Sequence, residues 1–128
     1  MKFIKLNILI GILLLVSSCS TSVSNSGYTT LYPVSASATK YNQTLDIPDL
    51  SGLPIFSAYF DVNENKVIVR NGDKKLTLYP FESYYTASGN RGTLSFKITA
   101  FIHNNEVTRI NYYETEDDIT VEILYEMK

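Results

Sequence analysis

The chain has no tryptophan, one cysteine and one histidine in 128 residues. A single thiol excludes an internal disulfide and any cysteine-rich metal site. A lone His103 excludes a histidine metal cluster or a His–His relay. Basic residues are also scarce. Lys2 and Lys5 lie in the first eighteen residues, which leaves nine basic against thirteen acidic residues from position 19 onward, a net charge of −4. Affinity for nucleic acid rests on cationic contacts to phosphate, so that balance argues against a nucleic-acid partner and suits a basic protein better. Sustained helical periodicity is missing as well. The longest apolar run, LNILIGILLLV, is about eleven residues, too short to span a bilayer as a helix, which takes roughly twenty.

What is present begins with that run. MKFIK supplies a positively charged start, the apolar run follows, and Val16-Ser17-Ser18-Cys19 closes the segment. Charge, apolar stretch and small residues in this order predict a signal peptide over residues 1–18. Val16-Ser17-Ser18-Cys19 resembles the lipobox of bacterial lipoprotein precursors. The resemblance implies cleavage before Cys19, a diacylglycerol on its thiol and an acyl chain on the new amine. It implies no other cofactor. Two or three acyl chains anchor a protein far more firmly than one, each buried CH₂ contributing about 0.8 kcal/mol. The expected location is the cell envelope, lipid-anchored without a spanning segment. Ser20 after the cysteine implies the outer membrane if the cell is Gram-negative.

The remainder divides at about residue 45. Residues 19–44 are rich in Ser, Thr and Ala and predict a flexible tether. Residues 45–128 carry the alternation of an antiparallel sheet. Phe56, Ala58, Phe60 and Val62 fall on one face of a first strand, and 66–70 forms a second, with Asn71-Gly72 a strong hairpin signal. Leu94, Phe96, Ile98, Ala100 and Ile102 share a face, with Phe101 opposite. Ile119, Val121, Ile123 and Tyr125 share another. Residues 86–92 and 114–118 are expected to be connections. The expected fold is all-β: about six strands in an antiparallel meander, closed as a small barrel or folded as a sandwich after the tether.

Candidate chemistry is sparse. His103 has no GxSxG motif beside it, and an acylated Cys19 is no nucleophile, so no catalytic set is expected and the chain is expected not to be an enzyme. The run Glu114, Glu116, Asp117 and Asp118 lacks the spacing and glycine of an EF-hand loop, so no metal is expected there. A solvated turn or a docking site for a basic partner accounts for it. The strand tyrosines, among them Tyr79, Tyr84, Tyr85, Tyr112 and Tyr113, divide between core and surface.

Residues 86–92, Thr-Ala-Ser-Gly-Asn-Arg-Gly, follow KKLTLYPFESYY. With His103-Asn104-Asn105-Glu106-Val107 a strand later, they resemble the membrane-bound inhibitors of c-type lysozyme, small lipoproteins with a β-barrel domain. In that family a Ser-Ala-Ser-Gly-Ala-Arg-Tyr-like loop precedes a Lys-Gly-x-Glu-Ala turn. Ala87, Ser88, Gly89, Arg91 and Glu106 match; Thr86, Gly92 and His103 depart, and the family's cysteine pair is absent. The resemblance implies a loop presenting Ser88 to the catalytic carboxylates of a basic lysozyme, with Gly89, Arg91, His103 and Glu106 beside it and Asp117 and Asp118 steering encounter. The alternative expectation is an assembly or pilotin lipoprotein that docks a secretion or envelope machine through a strand edge or loop.

Overall fold

The computed structural model describes residues 27–128. The leader, Cys19, Ser20 and the first part of the tether therefore lie outside the described residues. Nine strands follow in order: β1 (Thr29–Lys40), β2 (Gln43–Asp46), β3 (Phe56–Asp61), β4 (Lys66–Asn71), β5 (Lys74–Phe81), β6 (Tyr84–Arg91), β7 (Leu94–His103), β8 (Glu106–Glu116) and β9 (Ile119–Glu126). From β3 to β9 each strand pairs antiparallel with the next, and β1 closes the ring against both β3 and β9. The result is an eight-stranded antiparallel barrel with β2 as an extra strand on β1.

Two strands turn the corners. β1 pairs with β3 through Thr29–Leu31 and then with β9 through Tyr32–Thr39, with a register shift between Pro33 and Ser35. β5 pairs along its first half with β4, and over Tyr79, Pro80 and Phe81 with β6. A proline stands at each corner, Pro33 and Pro80. A residue with no N–H is tolerated where a strand leaves one ladder for another. Beyond the short β5–β6 pairing, residues 74–78 of β5 and 87–90 of β6 form no ladder with each other among the described residues.

The interior is lined by alternate residues from every barrel strand. Leu31, Phe56, Ala58, Val67, Val69, Leu78, Ile98, Ala100, Ile110, Ile123 and Tyr125 are all within 2% of complete burial. The Phe56 ring lies 4.4 Å from that of Tyr125 and meets Tyr112 edge-on at 6.3 Å, so an aromatic from β3 shares the centre with two from the paired strands β8 and β9. The loop 47–55 packs against the same core through Ile47, Leu50 and the buried Leu53. It is tied to β1 by the Ile47 amide donating to the Ala36 carbonyl at 2.8 Å. Within the loop, Asp49 accepts from the Ser51 hydroxyl at 2.6 Å and from its amide at 3.0 Å, which holds the Asp49 carboxyl below the usual range.

Several expectations are corrected. Strands number eight in the barrel plus one, rather than about six. The tether assigned to residues 19–44 contains β1 and part of β2. Ser and Ala have no strong strand preference, and pairing to β3 and β9 supplies what local propensity does not. Residues 86–92 are not a loop: 84–91 is β6, and only Gly92-Thr93 turns. Gly89 is there for packing, since a Cβ on it would lie 2.9 Å from the Phe96 ring. The hairpin after β4 turns on Gly72-Asp73, because Asn71 pairs with Lys74. Val62 is 56% exposed, since it leaves the strand for the turn. Glu114 belongs to β8 and not to a turn.

Gly89→Val should therefore displace the Phe96 ring and cost about 1–3 kcal/mol of stability. Chemical denaturation monitored by circular dichroism measures this. An unchanged midpoint would show that Gly89 is not a packing requirement.

Candidate functional site

Antiparallel strands place the turns alternately at two ends of the barrel. The chain enters at the end that also carries residues 62–65, Glu82-Ser83 and Asn104-Asn105. The other end carries Gly72-Asp73, Gly92-Thr93 and Asp117-Asp118, with the β1–β2 hairpin. This division separates the residues that the sequence grouped as one surface. Ser88, Gly89 and Arg91 lie on β6 towards the far end, as do Asp117 and Asp118. His103 and Glu106 pair with each other at the end where the chain enters. Ser88 is opposite Lys97 on β7, and six residues of strand from Lys97 to His103 span roughly 20 Å. No single loop presents both groups.

Ser88 and Arg91 are nonetheless exposed, as are Asp117 and Asp118. The two aspartates occupy left-handed backbone, with φ of 55° and 66°. Asp and Asn tolerate that conformation, so the turn explains the residue type without invoking a ligand. Asn104 and Asn105 do the same at the other end, with φ of 55° and 61°. Beside the acidic turn, the Thr93 hydroxyl donates to Glu116 at 2.8 Å, joining two neighbouring turns. Among the described residues, no group of three His, Asp or Glu side chains is gathered closely enough to hold a metal ion.

Sequence reasoning missed the interior carboxylate. Glu114 follows Tyr112 at the two-residue strand period, so both side chains point inward, and Glu114 is only 2% exposed. The Tyr112 hydroxyl donates to Glu114 at 2.9 Å. The Tyr125 hydroxyl is buried with no hydrogen-bond partner among the described residues. Burial first, and the Glu114 charge second, push both the Tyr112 and Tyr125 phenols well above the usual range. The signal was legible only as the alternation Ile110, Tyr112, Glu114, which a run of acidic neighbours disguised.

On the outside, a groove of about 420 Å³ runs between β6, β7 and β8, lined by Tyr84, Lys97, Thr99, Phe101, Asn111 and Tyr113. A second, of about 360 Å³, lies over β8, β9, β1 and β2 and is polar, with Arg109, Asp46 and Glu122 among its walls. Both are open surface concavities rather than enclosed sites. No family model, curated protein or solved structure matches the chain.

The buried tyrosines give a pH prediction. Their folded pKa values lie above the unfolded value near 10, so their contribution is complete below about pH 10 and is lost as pH rises beyond it. Phenolate absorbance should show Tyr112 and Tyr125 ionising only with unfolding. Tyr112→Phe removes a donor to a buried carboxylate and should cost about 1.5–3 kcal/mol at neutral pH. Ionisation of both phenols in the folded protein near pH 10 would contradict the assignment.

Proposed function

We propose that the chain is a non-catalytic cell-envelope lipoprotein, anchored through Cys19, whose barrel binds a protein at the end away from the anchor. The observation that supports this is the division between the two ends. The link from Cys19 joins the barrel at one end, and the exposed turn Asp117-Asp118 stands at the other with Ser88 and Arg91 nearby. A lipid-anchored domain presents its far end to the surrounding space. The local acidic turn Glu116, Asp117 and Asp118, set among Lys40, Lys74, Lys75 and Arg91 at the same end, suits a partner with a basic patch of matching size through electrostatic steering.

The most specific partner is a c-type lysozyme, inhibited by occlusion of its active site. On this chain Ser88 would be offered from the surface of β6 rather than from a loop, and His103 and Glu106 would take no part in that contact. The assembly or pilotin reading draws on a different feature, the second half of β6. Over residues 87–90 the backbone forms no ladder with β5 and could accept an added strand. In the outer-membrane reading, Ser20 directs the anchor if the cell is Gram-negative.

Mixing the protein with c-type lysozyme should suppress lysis of cell-wall substrate, and unchanged lysis at micromolar excess would end the inhibitor reading. Asp117→Asn with Asp118→Asn keeps residues that tolerate left-handed backbone while removing two charges. It should slow association several-fold at low salt and leave the dissociation rate nearly unchanged. Under the assembly reading, crosslinking in intact envelopes recovers machine components instead.

A further inference from the structure

The end of the barrel where the chain enters carries a row of aromatic and charged side chains on its outer wall. Phe81 on β5 is opposite Tyr84 on β6, their rings 5.8 Å apart. The Tyr84 ring meets that of Phe101 on β7 at 5.9 Å, tilted by 46°. Phe101 is opposite Arg109 of β8, whose guanidinium lies 4.6 Å above its ring. The row continues across β9 through Glu126 to Tyr32 of β1, which Lys128 covers at 4.8 Å. Strands in a closed barrel are tilted, so such a row climbs around the wall, and Phe81 stands at its outermost point. Phe81 is 53% exposed.

The position of this row relative to the anchor gives it meaning. Residues 19–44 were expected to hold the domain clear of the lipid, but β1 begins at Thr29. Ten residues from Cys19 to Thr29 reach at most about 36 Å even when fully extended. The point of arrival is pinned as well. Tyr28 packs at 5.5 Å against Tyr59 of β3, and the Arg70 guanidinium lies 4.6 Å over the Tyr28 ring. β3 is two strands from β5, so Phe81 lies on the same rim as the incoming chain.

We propose that this rim, with Phe81, Tyr84 and Phe101 as its aromatic edge, rests in the headgroup layer of the bilayer that holds Cys19. The proposal rests on the reading of Cys19 as lipidated. Aromatic side chains with a polar rim favour the membrane–water interface, and flanking Arg and Lys keep their charges in water while their stems lie along apolar surface. Asp61, Glu64, Glu82, Glu106 and Glu126 share this end with Lys66, Arg109 and Lys128, so the surface it fits is zwitterionic rather than anionic. Contact at this rim also fixes which way the barrel stands, with the Asp117-Asp118 end outward.

The absence of tryptophan makes the test direct. Full-length precursor is processed in cells, and the mature protein is reconstituted in phosphatidylethanolamine vesicles containing phosphatidylcholine brominated on its acyl chains. One variant carries Phe81→Trp; a second carries Tyr41→Trp in the far-end hairpin, where Tyr41 is 74% exposed. The brominated lipid should quench the first reporter several-fold more than the second. Adding Tyr84→Ser and Phe101→Ser to the first variant should reduce its quenching, with circular dichroism confirming that the barrel remains. Equal quenching at the two ends, or stronger quenching at position 41, overturns the proposal. The mass of the N-terminal peptide is read separately. Acylated Cys19 with equal quenching removes the docking rim alone, and an unmodified Cys19 removes both the anchor and the rim.

Discussion

The structure depends on one pairing, that of β1 with β9. Seven residue partners, from Tyr32–Glu126 to Thr39–Thr120, convert a linear meander into a ring. Without them β9 and the side of β1 that faces it would be open edges, and one side of the core would face water. Closure also brings Phe56, Tyr112 and Tyr125 together, since these come from β3, β8 and β9 and meet only when β1 bridges the ends. The corner at Pro33 is part of the same device. It lets β1 leave β3 and continue along β9, so that one strand serves two sheets.

Closure has a consequence for binding. A full ring leaves few unpaired edges, which limits strand addition to the gap between β5 and β6 and to the free side of β2. The described core side chains occupy the interior, so recognition falls to the outer wall and the two ends. These ends differ in chemistry. One carries the incoming chain and an aromatic row; the other carries the paired aspartates and the exposed part of β6. Under the proposed anchor at Cys19, that asymmetry would let one end meet the lipid and leave the other free to meet a partner.

Much of the β domain was legible because its strands alternate. Leu94, Phe96, Ile98 and Ala100 are inward on β7, and Val121, Ile123 and Tyr125 on β9, as the period of two requires. Three places were not legible, each for its own reason. β1 is written in Ser and Ala around Leu31 and Ala36, and its conformation comes from partners some ninety residues away. β6 reads as Thr-Ala-Ser-Gly-Asn-Arg because a large side chain from β7 fills the space above Gly89, leaving no apolar signature of its own. Glu114 was counted with Glu116, Asp117 and Asp118 because charge ordinarily marks solvent, whereas the strand period sends it into the core beside Tyr112. The grouping of Ser88 with His103 failed for a topological reason, since Ser88 sits beside Lys97 near the start of β7 whereas His103 is the last residue of that strand.

The central claim is that residues 29–40 are a structural strand of the barrel and not a tether. Native-state hydrogen exchange across residues 35–39 tests it most directly, with the amides of β9 as the internal reference. Residues in a closed ladder open only with the global transition, so the ladder-bonded amides of this stretch should exchange as slowly as those of β9. Exchange at the rate of an unstructured peptide there, with β9 still protected, would contradict the closed barrel and restore the longer tether.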